Sequence, residues 1–244
     1  MIGLRRRVMG GGIPQSKPYL AFQAIESGTF SFTNAIDYSL DGGATWTTLN
    51  ANTNSPNISA GEKIVWRGTL TPNLSNGIGT FSATGKFNVE GNIMSLAYGD
   101  NFVGKDSIPH NDYYFSKLFY NNTNVVSAAG LTTPSVLYNN CYQNMFGGCT
   151  SLTTAPTLPA TTLVSNCYNA MFSGCTSLRY IKAMFTTTPS SSYTFWWVRN
   201  VSSSGTFVKN SAATWENTFG ISAIPTGWTV ETASVSVVGG VVTP

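Results

Sequence analysis

Four cysteines, Cys141, Cys149, Cys167 and Cys175, are the side chains of this sequence best suited to covalent or metal chemistry. Thiolates serve as nucleophiles, disulfide partners or zinc ligands. Their spacing argues for packing instead. Cys141 and Cys167 hold the same place in a repeating unit, and so do Cys149 and Cys175. A buried thiol is an ordinary small core residue. The one histidine, His110, lies in Ile108-Pro109-His110-Asn111-Asp112. Hydrolytic triads and most zinc sites need a histidine with partners, and His110 reads as a loop residue. Glycoside hydrolysis needs paired carboxylates; among only 10 Asp and Glu, no pair stands out. Gly10-Gly11-Gly12 lacks the Gly-Lys-Ser/Thr ending of a phosphate loop. No catalytic residue, no metal ligand and no cofactor is expected, and the chain reads as a non-enzyme.

Binding chemistry is the alternative. Aromatic residues make up 13% of the 244 residues. Aromatic rings beside Asn and Asp are what sugar-binding faces use. The candidates are Tyr113, Tyr114, Tyr120, Tyr193, Trp196 and Trp197; as core or cap residues the same rings would serve the fold alone. A second candidate is the arm of residues 1–18, with Arg5, Arg6, Arg7 and Lys17, either a tail without structure or a peptide that orders on a partner. The net charge of +3 sits largely there, and no broad basic patch points to nucleic acid.

Charged residues are only 9% of the chain, against about 25% in an ordinary soluble domain. Ser, Thr, Asn and Gly must supply the polar surface, and these are middling to poor helix formers. A β or repeat architecture is expected. No run of about 20 apolar residues would span a membrane. Residues 1–7 resemble a positive leader region, but Val8 to Pro14 is not an apolar stretch. No signal peptide is expected.

The elements follow from period and punctuation. Residues 19–104 read as a β domain, a small sandwich or barrel. Thr29-Phe30-Ser31-Phe32-Thr33 alternates, and Ile64-Val65-Trp66-Arg67 and Phe87-Asn88-Val89 follow the same logic. Ser39-Leu40-Asp41-Gly42-Gly43-Ala44-Thr45-Trp46 resembles the Asp-box of sialidases, a hairpin-tying device remote from catalysis. Residues 105–188 carry repeats. Leu137 to Leu152 and Leu163 to Leu178 align at a period of 26, with a weaker copy from Leu118 to Val125. In each unit Cys-Tyr-x-x-Met-Phe reads as one or two amphipathic helical turns, followed by a turn into a strand. Stacking would place Cys141, Met145, Phe146, Cys149 and Leu152 on Cys167, Met171, Phe172, Cys175 and Leu178 in interior ladders. Residues 189–244 read as a C-terminal cap ending in a tail strand.

The motif Cys-Tyr-x-x-Met-Phe-x-Gly-Cys-Thr-Ser-Leu, followed by Leu158-Pro159-Ala160-Thr161-Thr162-Leu163, resembles BspA-type leucine-rich repeats over about residues 115–231. Such proteins occur in gut Bacteroidales and in the tailed, crAss-like phages that infect them. The resemblance implies a mainly β protein with short helices: an N-terminal β-sandwich or barrel-like domain, then a short capped leucine-rich solenoid. It also implies adhesion. Without an expected leader and with few repeats, the chain looks closer to the phage group. The expectation is a virion-surface protein, a capsid decoration or fibre component, held through its arm by other virion proteins. It would be present as a homo-oligomer or in repeated copies and would bind surface glycans or proteins. A bacterial cell-surface adhesin is the alternative.

Overall fold

The computed structural model describes residues 17–73, 76–109, 112–233, 236–238 and 241–243. Arg5, Arg6, Arg7 and His110 lie outside the described residues. The chain is mainly β, with one short helix and a β-solenoid of about four turns.

The first strands are β1 (Leu20–Ala24), β2 (Phe30–Phe32), β3 (Ile36–Ser39), β4 (Thr47–Leu49), β5 (Lys63–Arg67), β6 (Phe81–Ala83) and β7 (Phe87–Asn92). The helix α1 (Ser95–Tyr98) follows, then β8 (Val125–Thr132), β9 (Thr154–Leu158), β10 (Tyr180–Ala183), β11 (Thr206–Lys209) and β12 (Thr229–Thr232). A hairpin of β13 (Ser236–Val238) and β14 (Val241–Thr243) closes the chain. Ten strands form one sheet in the order β12-β11-β10-β9-β8-β7-β1-β5-β3-β4. From β7 to β12 neighbours run parallel, as stacked coils require; from β7 through β1 and β5 to β3 and β4 they run antiparallel.

The short pair β2–β6 packs over the sheet through aromatic rings. Phe22 lies 5.3 Å from Phe30 and 4.8 Å from Phe81 between ring centroids, and Phe30 lies 5.0 Å from Phe87. The N-terminal strands and the coils join where β7 pairs directly with β8. One continuous core of buried side chains spans both regions. Residues 190–209 form a further coil whose strand, β11, pairs with β10 as the earlier coils do.

The side of each coil opposite the sheet corrects the expected helical turns. Residues 139–149 and 165–175 are rows of linked tight turns, and no helix is assigned in either. Every fourth residue takes a left-handed backbone: φ is 56° at Asn140, 54° at Asn144 and 77° at Gly148, then 51° at Asn166, 49° at Ala170 and 80° at Gly174. A left-handed residue after every three breaks the α-helical curl and sets the period at four. Alternate N–H groups close local turns: Met145 donates to the carbonyl of Tyr142 at 3.1 Å, and Cys149 to that of Phe146 at 3.0 Å. The others reach across to the next coil: Tyr142 N–H to Cys167 O at 3.0 Å, Asn144 to Asn169 at 2.8 Å, Phe146 to Met171 at 2.9 Å. These backbone donors are thus satisfied without a helix. Asn and Gly recur at the left-handed slots because they tolerate that conformation best.

The period of four turns Cys141, Met145 and Cys149 inward, and Tyr142 and Phe146 with them. All ten repeat-core residues, from Cys141 to Leu178, are buried. Rings stack between coils: Phe119 on Phe146 at 5.1 Å and 10°, Phe146 on Phe172 at 5.9 Å and 14°, Tyr142 on Tyr168 at 5.8 Å and 11°. Trp197, Phe207, Trp215 and Trp228 fill the far end. There the indole N–H of Trp197 donates to Ala223 O at 2.7 Å, and that of Trp228 to Ser202 O at 2.8 Å.

Candidate functional site

The thiols come first. All four cysteines are free and buried. The Sγ–H of Cys149 donates to Phe119 O at 3.0 Å, and that of Cys175 to Phe146 O at 3.0 Å. Burial pushes all four thiols up, Cys167 to about 11, which disfavours the thiolate. Among the described residues no cluster of three or more His, Cys, Asp or Glu is arranged to hold a metal ion.

The aromatic candidates separate by burial. Tyr114 and Trp197, for which the sequence left a ligand contact and a core place open, are core residues: both rings have no exposed surface, and Tyr114 donates its hydroxyl to Leu70 O at 2.6 Å. Tyr113 and Tyr193 are half-buried. Tyr120 and Trp196 are exposed, at 42% and 39%. Tyr120 lies beside the main chain of Gly147 on the next coil.

Trp196 sits in the left-handed slot of the last turn row, with φ 55°. The backbone ladder sets Lys117, Asn144 and Ala170 in the same slot of earlier rows, each donating its N–H to the next coil. A bulky aromatic ring there is a conformational outlier, and outliers of this kind concentrate at functional sites. The Trp196 ring stacks on Phe195 at 4.5 Å and 20°. The guanidinium of Arg199 lies 4.5 Å from the Trp196 ring centroid. The Trp196 N–H is held by Ser222 Oγ at 3.0 Å, and Val198 N–H by Ile221 O at 3.2 Å. The segment around Ile221 thus lies alongside the row as a partial further coil.

A shallow cleft of about 150 Å³ opens between the chain from Val198 to Ser203 and the segment from Gly220 to Thr226. Asn200, Ser202, Ser203, Ile221, Pro225 and Thr226 contribute to its walls, and none of its lining side chains is charged. Phe195 and Arg199 were missing from the candidates read in the sequence. The signal was present: Tyr193-Thr194-x-x-Trp197-Val198 keeps the 26-residue register of Cys167-Tyr168-x-x-Met171-Phe172.

A larger groove, about 580 Å³, lies on the outer face of the N-terminal strands. Lys17, Tyr19, Leu40, Val65, Glu62 and Glu90 help line it. Its carboxylates are engaged: Glu90 pairs with Lys63, and Glu62 accepts the Ser59 N–H at 2.9 Å. Beside it the Asp-box is closed. Asp41 accepts from the Ser39 hydroxyl at 2.6 Å, from Thr45 Oγ1 at 2.6 Å and from the Ala44 and Thr45 N–H groups. These donors, the Ser39 hydroxyl first, hold its carboxyl well below the usual range.

Trp46 of this turn lies under Arg67, 4.2 Å from the guanidinium carbon to the ring centroid. Arg67 binds Asp100 at 2.6 Å and Asp37 at 3.3 Å. Asp100 also accepts the Tyr19 hydroxyl at 2.6 Å, and its main-chain carbonyl accepts Lys17 Nζ at 2.7 Å. Burial, then the Asp100 hydrogen bond, pushes the Tyr19 hydroxyl up to about 12. Lys17, read in the sequence as part of the arm, is therefore folded onto the body.

No helix among the described residues is long and apolar enough to cross a membrane. No family model, no curated protein and no solved structure matches the chain.

Proposed function

We propose that this protein is a non-enzymatic binding protein of a phage virion surface, a capsid decoration, head-fibre or tail-fibre component. In this reading residues 1–18 attach it to other virion proteins, and the solenoid, a short stack of BspA-type leucine-rich repeats, faces outward to adhere to host or gut surface ligands. One observation carries the binding half of this reading: Trp196, exposed and in a left-handed backbone slot, packs against Phe195 and Arg199 in the last turn row. Its geometry relative to the arm fits presentation. The arm precedes β1, and four neighbouring strand spacings separate β1 from β10, which precedes the Trp196 row. At about 4.8 Å per spacing this is roughly 20 Å along the stack. A ligand on the Trp196 row would stand clear of whatever holds residue 17.

Two measurements test it. Mass spectrometry of purified particles of the parent phage should detect the chain, and its absence sinks the virion reading. The labelled full chain should bind intact host-type bacteria and lose that binding on Trp196→Asn, which keeps a residue suited to the slot. Binding that survives Trp196→Asn moves the ligand face elsewhere. Display of the native chain on the bacterial surface, with particles lacking it, would favour a bacterial adhesin instead.

A further inference from the structure

We infer that the end of the solenoid around Trp196 is a subsite for an acidic sugar, a pyranose carrying one carboxylate; the inference rests on the binding role proposed above and names its ligand class. Three independent features point there. The first is the exposed stack of Phe195 on Trp196, whose apolar surfaces suit the C–H face of a pyranose ring and give large contact at low entropic cost. Second, Arg199 makes no ion pair and no side-chain hydrogen bond among the described residues; it only lies over Trp196. A guanidinium carries five N–H donors in a planar fork that matches a carboxylate bidentately. The adjacent Trp196 ring holds this fork in place, so less freedom is lost on binding.

The third feature is the cleft that begins at Val198 and Asn200, the residues on either side of Arg199 in the chain. It is too small for a drug-sized ligand, which takes about 300–1,000 Å³. Its side chains are hydroxyls, an amide and short apolar groups with no charge of either sign. The side chains of Asn200, Ser203 and Thr226 have no protein partner among the described residues, leaving donors and acceptors for ring hydroxyls. With no acidic lining residue, an anionic ligand meets no repulsion in the cleft, and Arg199 stands in sequence between two residues of its wall, Val198 and Asn200. A neutral sugar would leave the fork unused. An acidic peptide would use the fork but leave the hydroxyl-lined cleft unmatched.

The full chain tests this by titration calorimetry against five probes: trigalacturonic acid, its methyl-esterified form, sialyllactose, lactose and tetraglutamate. At least one acidic probe should bind about tenfold or more tightly than its neutral counterpart, the discrimination a charge-assisted bidentate contact supplies. The two acidic arms separate a uronate from a sialate source. Arg199→Gln should erase the acid preference, so that each acidic probe binds no more tightly than its neutral counterpart. Arg199→Lys should restore it only in part, because a point charge lacks the fork. Trp196→Asn should weaken acidic and neutral probes alike. Thermal unfolding of each variant separates lost binding from lost folding.

Equal affinity for acidic and neutral probes, an acid preference that survives Arg199→Gln, or tighter binding of tetraglutamate than of either acidic sugar overturns the inference. So does the absence of binding to both acidic probes. Cell binding that still depends on Trp196 would then leave the proposed binding role standing while its ligand class falls.

Discussion

The middle rows of the solenoid and its last row share a backbone and differ in what they spend it on. In the middle rows the left-handed slot holds Asn144 and Ala170, and the next holds Gly148 and Gly174. Asn144, Gly148 and Gly174 make the backbone conformation easy, and with Ala170 they leave a small, plain outer surface. In the last row the same slot holds Trp196, flanked by Phe195 and Arg199. The backbone gains nothing from an indole there, since a bulky residue at positive φ is strained. What the indole presents outward is the basis of the binding role proposed for it.

The largest test breaks the middle rows. A methyl group on Gly148 would stand 2.2 Å from Asn121 Oδ1, whereas one on Gly174 would meet nothing closer than 3.6 Å. Gly174→Ala carries only the left-handed penalty, about 1–2 kcal/mol. Gly148→Ala carries that and a clash comparable to overpacking, a further 1–3 kcal/mol or so. Denaturant unfolding should rank Gly148→Ala as the more damaging; equal losses would mean that Asn121 yields freely and the rows are not tightly registered.

A finer test sets the two slots against each other. Asn144→Ala should lose about 1 kcal/mol, because Asn tolerates positive φ and Ala does not. Trp196→Asn gains that preference, which offsets the lost stacking and cation–π contacts of about 0.5–1.5 kcal/mol each, so its net change should stay within about 1.5 kcal/mol. A loss well beyond this by chemical denaturation would make Trp196 a structural residue and remove the contrast.

The smallest effect concerns the joint between arm and body. Hydrogen bonding from Tyr19 and then the pairing with Arg67 lower the pKa of the Asp100 carboxyl. Its depressed folded-state value means that its contribution is present above the ordinary carboxylate value near pH 4 and fades as pH falls through the folded value. Melting temperatures of the wild-type chain and Asp100→Asn should therefore differ at pH 6 and converge toward pH 2. A gap that persists at pH 2 would show that the charge of Asp100 is not what ties the joint.

Much of the solenoid was readable in the sequence. The 26-residue register marks Cys141, Met145, Phe146 and their partners as one inward stripe, because identical side chains stack when identical coils do. The Asp-box was readable because its contacts are local, from Ser39 to Trp46. The conformation of the turn rows was not. Residues at i, i+4 and i+5 share a face of an α-helix and also of a row of four-residue turns. Asn and Gly at every fourth position favour the second only once another coil stands ready to accept the freed N–H groups. The same dependence hid Phe195 and Arg199. Their sequence shows an apolar cluster and a cation, and burial divides Trp196 from its neighbour Trp197, outside from inside.

The sequence by itself determined the repeat length, the inward ladders and the β character, since each follows from local spacing and composition. Only the tertiary structure decided that the N-terminal strands and the coils share one sheet, that Lys17 is tied to Asp100, and that Trp196 and Arg199 are left facing solvent. These depend on which segments meet across long stretches of chain, and pairing over such distances is set by the packing of the whole.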